Sequence, residues 1–286
     1  MVIAVASGKG GTGKTTVAVS LALAASNDAD ARPLLLDCDV EEPNCALFLD
    51  LDRITRKPTG VLVPEVDPVK CDLCGRCAEV CVWKAIAVAG EKVLVFRDLC
   101  HGCGSCTLMC PRGAIHEIMH ETGSIEESSN RSVDYAGGVL NVGQVMAVPV
   151  ISALLDGHLR DRGKRTVILD SSPGSSCPMV ETVKASDYVI LVTEPTPFGL
   201  HDLDAAVRVV TDQLHIPSGV IVNRDGTGND DVIDFCRERG LPVLARIPMD
   251  RRIAEVLSEG KPLVRALPEY MDLFREILAT IGETTS

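Results

Sequence analysis

The stretch Val2-Ile3-Ala4-Val5-Ala6-Ser7, continued by Gly8-Lys9-Gly10-Gly11-Thr12-Gly13-Lys14-Thr15-Thr16, decides the fold. A short apolar run enters a glycine loop, and the alanine- and leucine-rich segment Val17 to Ala25 reads as a helix behind it. Gly8, Gly13, Lys14 and Thr15 keep the Gly-x4-Gly-Lys-Thr spacing of a phosphate-binding loop. Glycines let backbone N–H groups curl around phosphate oxygens, and the helix N-terminus adds the positive end of its dipole. Lys14 brings charge to the β and γ phosphates, and the Thr15 hydroxyl stands where it can ligate Mg²⁺. A glycine turn alone would be only a turn; here strand and helix flank it.

With Lys9, a second lysine inside the loop, the segment resembles the deviant phosphate-binding loop of the MinD/ParA/nitrogenase-iron-protein superfamily. The resemblance implies an α/β fold, a mostly parallel P-loop NTPase sheet flanked by helices. It also implies ATP or ADP with Mg²⁺, ATP hydrolysis that is slow without a partner, and a homodimer or a heterodimer with a related ATPase. In that family the early lysine reaches the nucleotide of the facing subunit. A solvated loop lysine is the bland reading of Lys9.

Bulk composition narrows the classes. The 286 residues fit one large α/β domain or a domain plus a small module, and 46% hydrophobic content supplies a sizeable core. Aromatics are only 3%, so Val, Leu, Ile and Ala must build it. A net charge of −12 without a Lys/Arg-rich tract disfavours nucleic acid. The nearest basic run, Arg160 to Arg165, is broken by Asp161 and Gly163 and reads as a helix C-terminus. No leader and no membrane-length apolar run is read, so a cytoplasmic protein is expected. Twelve cysteines then favour metal over disulfide.

Along the chain, Pro33 to Leu36 reads as a buried strand ending in Asp37-Cys38-Asp39. Ligands gather at the carboxyl ends of parallel strands, which gives these aspartates weight. Residues 37–44, DCDVEEPN, resemble the family's switch I, where Asp39 would orient or activate the attacking water and Asp37 would lie near magnesium. The alternative is that they cap a helix beginning near Pro43. Cys38 and Cys45 read as small core residues. A later strand, Thr166 to Leu169, ends in Asp170 and runs into Pro173-Gly174. This resembles a Walker B aspartate and a switch II, with Asp170 on Mg²⁺ and the Gly174 amide sensing the γ-phosphate. The chain has Ser172 before Pro173 where relatives often carry two prolines in succession. Strands over 219–222 and 243–247 end in Asn223-Arg224-Asp225 and Pro248-Met249-Asp250, which resemble the family's adenine grip. Asn223, Arg224 and Pro248 are the candidate contacts.

Between the switches the texture changes. Cys71, Cys74, Cys77 and Cys81 follow C-x2-C-x2-C-x3-C; Cys100, Cys103, Cys106 and Cys110 repeat it, with Pro111 next. Ala85-Ile86 and Ala114-Ile115 extend the repeat beyond the cysteines. The pattern resembles the bacterial two-cluster ferredoxin, in which the fourth cysteine of each run ligates the other cluster. That resemblance implies one [4Fe–4S] cluster on Cys71, Cys74, Cys77 and Cys110 and a second on Cys81, Cys100, Cys103 and Cys106. Zinc knuckles are the competing reading of C-x2-C pairs. Val82 stands where a proline usually follows the first run. Trp83, the only tryptophan, reads as packing on a cluster or in the module's small core. The expected organisation is an ATPase domain of residues 1–61 and 117–286 around an inserted α+β ferredoxin-like module, 62–116. Residues 121–132 read as either a connector or a paired strand, 139–142 as a strand, and Pro149 as the first turn of a helix. Cys177 lies where the nitrogenase iron protein places a bridging ligand, but the second cysteine of such a site is missing, so a structural or redox-sensitive thiol is expected. Cys236 reads as core.

Three functions compete. The first is an ATP-hydrolysing iron–sulfur protein that couples nucleotide state to low-potential electron transfer to a redox partner. The second is an assembly or carrier ATPase similar to the Mrp type, acting on a metallocofactor partner. The third, spatial positioning as in MinD or ParA, is the weakest, because the last segment carries Glu269, Asp272, Glu276 and Glu283 against the single Arg275 and would be repelled by anionic lipid. Neither membrane nor nucleic acid is expected as a partner.

Overall fold

A computed structural model of the chain describes residues 1–27, 32–160, 163 and 165–285. Its strands are β1 (Val2–Ala6), β2 (Leu34–Asp37), β3 (Thr55–Val66), β4 (Ile86–Ala89), β5 (Lys92–Val95), β6 (Ile115–Ser129), β7 (Asp134–Leu140), β8 (Val167–Asp170), β9 (Tyr188–Thr193), β10 (Ser218–Asp225) and β11 (Val243–Pro248). The helices are α1 (Lys14–Ala24), α2 (Arg76–Val80), α3 (Ser105–Leu108), α4 (Val148–Leu159), α5 (Cys177–Val183), α6 (Pro197–Val207), α7 (Asp231–Glu238), α8 (Arg251–Ser258), α9 (Leu263–Ala266) and α10 (Met271–Thr285).

Nine strands form one sheet in the order β11-β10-β9-β1-β8-β2-β7-β6-β3. The pairs from β11 through β7 are parallel, and β6 and β3 close one edge antiparallel. The apolar runs are continuous because both faces are covered. Along β1, Val2, Ala4 and Ala6 join the core beneath α4, α5, α6 and α7, while Ile3 and Val5 join the core beneath α1, α9 and α10. Alternation of side chains along a strand forces this division. Phe274, Ile277 and Ile281 of α10 are buried in the second core, so the last helix spends its apolar face on the sheet. Among the described residues, no helix is long and apolar enough to cross a membrane.

Several local expectations resolve. Residues 121–132 are largely strand: β6 pairs with β7 on one side and β3 on the other. The strand expected at 139–142 lies earlier, at Asp134–Leu140. No helix starts at Pro43; a single 3₁₀ turn spans Cys45–Phe48. Pro149 does open α4, which ends at Leu159. Residues 161, 162 and 164 of the helix terminus read from Arg160 to Arg165 lie outside the described residues.

The β3–β6 ladder gives the molecule its shape. The β6–β7 pairing stops at Gly123 opposite Leu140. Beyond it β3 and β6 pair alone, from Gly60 opposite Glu121 to Val66 opposite Ile115. At roughly 3.3 Å per residue that overhang reaches about 20 Å past the sheet. It passes through positions 61–62 and 116–117 without a break and carries the cysteine-rich segment at its tip. A register shift between Thr59 and Gly60 leaves Thr122 as the extra residue where the ladder departs. Gly60 is required there, since a Cβ would lie 2.0 Å from the His120 carbonyl oxygen.

Candidate functional site

The carboxyl ends of the parallel strands converge on one edge. β1 delivers Ser7 and the glycine loop, β2 Asp37, β8 Asp170, β9 Glu194, and β10 and β11 Asn223 and Pro248. There a cleft of about 690 Å³ is lined by Gly10, Gly11, Gly13, Lys14, Thr15, Thr16, Asp39, Asn223, Arg224 and Pro248, among others. It has the size and the mixed lining of a small-ligand site. Gly13 adopts φ +99° as the N-cap of α1, and the Asn223 amide packs where a Cβ would stand. Asn223 Nδ2 donates to the Thr12 carbonyl at 2.8 Å, so a residue read as a base contact also braces the loop.

Asp37 and Asp170 sit beneath the cleft, both buried. Asp37 accepts the Asp39 and Cys45 N–H groups at 3.2 and 2.9 Å, but the turn Cys45–Phe48 takes Asn44 as its N-cap without a side-chain cap bond, so these aspartates cap no helix at Pro43. Burial, then the facing Asp170, pushes its carboxyl well above the usual range. Burial also raises Asp170, opposed by the Thr15 hydroxyl and the Lys14 charge. Asp39 is raised to about 6, by burial first; Lys14 opposes the shift, and Asp170, Glu41 and Glu42 add to it. One oxygen of Asp170, Oδ1, is buried with no hydrogen-bond partner. Two adjoining carboxylates and an orphan oxygen beside Thr15 are a donor set suited to a divalent cation.

The segments after β2 and β8 touch directly. Ser172 Oγ donates to the Cys38 carbonyl at 3.1 Å. The Gly174 amide donates to the Ser7 carbonyl at 2.9 Å, so in this conformation it is tied to the start of the glycine loop. Lys9 is also engaged, 3.1 Å from Glu194. Arg224 binds the other oxygen of the same buried carboxylate. Glu194 escaped the sequence reading; its place just past β9, at the ligand edge, was the available signal.

The eight repeated cysteines gather into the two quartets named above. Cys71, Cys74, Cys77 and Cys110 line one small cavity; Cys81, Cys100, Cys103 and Cys106 line another. The repeat extends to the backbone. Leu73 and Gly102 (φ +60° and +63°), Gly75 and Gly104 (+79° and +71°), and Lys84 and Gly113 (+53° and +57°) are left-handed at matching offsets. The Ala85 N–H donates to Cys81 Sγ at 3.2 Å and the Ala114 N–H to Cys110 Sγ at 3.3 Å, again at matching offsets. Trp83 belongs to no core: it is 51% exposed and stacks on His101, ring centroids 3.7 Å apart and 11° from parallel. Cys236 is buried and Cys177 exposed. Cys177 lines a second cleft, of about 680 Å³, that also touches Glu41, Leu62, His101 and Gly102. The corner between ladder and sheet therefore joins the second cysteine loop to Glu41 and to Cys177 at the start of α5.

The family model for the CobQ/CobB/MinD/ParA nucleotide binding domain matches residues 3–263. The chain belongs to that family. Among relatives of this nucleotide-binding chain, an uncharacterised protein of Methanocaldococcus jannaschii is 28% identical over 278 residues, covering 96% of this chain and 93% of the other. A protein of Anopheles gambiae named cytosolic Fe-S cluster assembly factor Nubp2 homolog is 23% identical, covering 98% and 95%. The cell division ATPase MinD of Pyrococcus furiosus superposes with a TM-score of 0.59 at 22% identity, covering 99% and 98%; that likeness is one of fold.

Proposed function

We propose that this family member is an ATP-hydrolysing iron–sulfur protein that serves the assembly or transfer of iron–sulfur clusters. The observation that carries the reading is the pairing of a nucleotide-type cleft with two four-cysteine cavities on a two-stranded ladder. A relative named as a cluster assembly factor supports the direction of that pairing.

Gly8, Lys9, Gly10, Gly11, Thr12, Gly13, Lys14, Thr15 and Thr16 would cradle the phosphates of ATP, with Asn223, Arg224 and Pro248 toward the base. Thr15 and Asp170, with Asp37 behind, would hold Mg²⁺, which supplies charge neutralisation for phosphoryl transfer. Asp39 would orient water, Lys14 would steady developing charge, and the Gly174 amide would report the γ-phosphate once released from Ser7. Lys9 would leave Glu194 to reach the nucleotide of a second subunit. In the lobe of residues 62–116, the quartet ending in Cys110 and the quartet beginning at Cys81 would each hold a [4Fe–4S] cluster. Four thiols per cavity and N–H···S bonds fit such a group.

Electron delivery to a partner is the second reading. It is favoured by the completeness of the quartets, which leaves every iron of a four-iron cluster with a protein thiolate and so suits retention. Loading the chain with ⁵⁵Fe and adding an apo-acceptor with ATP separates the two. Iron that moves to the acceptor supports assembly. Full retention, with ATP-dependent reoxidation of reduced clusters, replaces assembly by electron delivery.

A further inference from the structure

Cys45 is not one of the eight repeated cysteines, and nothing in the roles above uses it. It stands eight residues after Asp37, where the 3₁₀ turn Cys45–Phe48 begins. Ligand atoms of Asp37, Cys45 and Asp170 all lie within 4.8 Å of one another, and the three residues are 0%, 0% and 1% exposed. The Cys45 thiol donates to Asp170 Oδ2 at 3.2 Å, and its N–H donates to Asp37 Oδ2 at 2.9 Å. Asp170 Oδ1 is buried beside them with no partner. Donors on one tetrahedral ion, bound at roughly 2.0–2.3 Å, stand roughly 3.5 Å apart. The trio is therefore within about an ångström of closing on a metal.

We propose that Asp37, Cys45 and Asp170 form a nucleotide-independent site for a thiophilic divalent cation, ferrous iron or zinc. Magnesium takes oxygen ligands in a wet octahedron and gains nothing from sulfur, whereas thiolate selects Fe²⁺ and Zn²⁺. Burial in a dry position makes a compensating cation more valuable for two adjoining carboxylates. The thiol proton is the leaving group: Cys45–SH and M²⁺ give the Cys45–S–M bond and release H⁺ to solvent. Because Asp170 would be shared, this ion and MgATP would compete, giving the phosphate-binding end a direct readout of free metal. The proposal shares two side chains with the magnesium role but does not depend on hydrolysis.

The test is calorimetric titration of the cluster-loaded full chain with Zn²⁺, anaerobically and without nucleotide, in two buffers of different ionisation enthalpy. One Zn²⁺ per chain with proton release is expected. Cys45→Ser should weaken it roughly 10- to 100-fold while cluster absorbance and MgATP binding stay unchanged. Lys14→Ala should bind ATP roughly 10- to 100-fold more weakly but keep its Zn²⁺ affinity, so a failed metal site and a failed nucleotide reading give different results. Equal Zn²⁺ affinity in wild type and Cys45→Ser overturns the proposal. Should that variant not fold, ¹¹³Cd NMR of the wild-type chain decides. A resonance of mixed sulfur and oxygen coordination supports the site, and its absence refutes it.

Discussion

The nucleotide edge and the cysteine lobe are held together in different ways. Around the glycine loop, β1, β2, β8 and β9 are buried along their whole lengths, and two apolar cores sandwich them. At the tip of the ladder the buried apolar groups are few: Val61, Val63 and Ala85 in one patch, Ile86 and Ile115 in another, each built around cysteine. Leu94, Phe96, Leu99 and Leu108 lie exposed there. Apolar burial suffices for the first region, whereas a core that small rarely carries a fold without a metal or another staple. One chain thus joins a sheet held between two apolar cores to a lobe with little apolar burial, whose order would then depend on what it binds.

The largest effect should come from removing iron. Chelation, or Cys77→Ser combined with Cys106→Ser, should abolish amide-exchange protection over residues 67–114 and leave the protection of β1, β8 and β9 intact. Retained protection in the lobe would break the comparison. Next, Lys14→Ala should weaken ATP binding roughly 10- to 100-fold, the value of one or two charge-assisted hydrogen bonds, with the iron content unchanged. Calorimetry and iron analysis check both halves.

A pH series sharpens the contrast further. Asp39 has its carboxyl raised to about 6, so the folded apo protein holds a proton that the unfolded chain releases near 4. Its contribution to stability is complete below about 4 and is lost as pH rises through about 6. If ionised Asp39 orients water, ATP hydrolysis should rise through that same window, and Asp39→Asn should remove the inflection. Glu194→Gln is expected to act more gently. Freeing Lys9 should strengthen ATP-dependent self-association about two- to fivefold, the scale of a partly exposed ion pair, as read by sedimentation. Smallest of all, His101→Ala should shift the emission of Trp83 and cost the lobe about 1 kcal/mol, the worth of an aromatic stack, without touching nucleotide affinity.

Much of this was legible in the chain itself because backbone demands leave sequence marks. Gly8 to Thr16, the apolar strands, and the aspartates at their carboxyl ends announce a phosphate site, since each residue type answers a local need. The resemblance of the cysteine spacing to two-cluster ferredoxins likewise implied the quartets that share cavities. What stayed hidden depends on contacts between distant segments. Cys45 looked like an ordinary small core residue, because nothing near it in sequence reveals that Asp170 stands beside its thiol. Glu194 holding Lys9 and Arg224 is a tertiary fact of the same kind. The polar stretch 121–132 left connector and paired strand both open, because the neighbours that decide for a strand, β3 and β7, impose different demands on the two sides of β6.

The departure of the ladder at Thr122 has a mechanical consequence. A tethered module on a loose linker would explore a wide volume, and its reach would be statistical. Here the cysteine lobe is a cantilever rooted in the same sheet that carries the glycine loop, and the register shift beside Gly60 marks where it leaves the sheet. Small rotations of the root become displacements at the tip in proportion to arm length. A change of a few degrees where the switch segments meet would move the quartets by an ångström or more. Such leverage needs no signal path through side chains, only stiffness, and the hydrogen-bonded pairs from Gly60 to Val66 supply it.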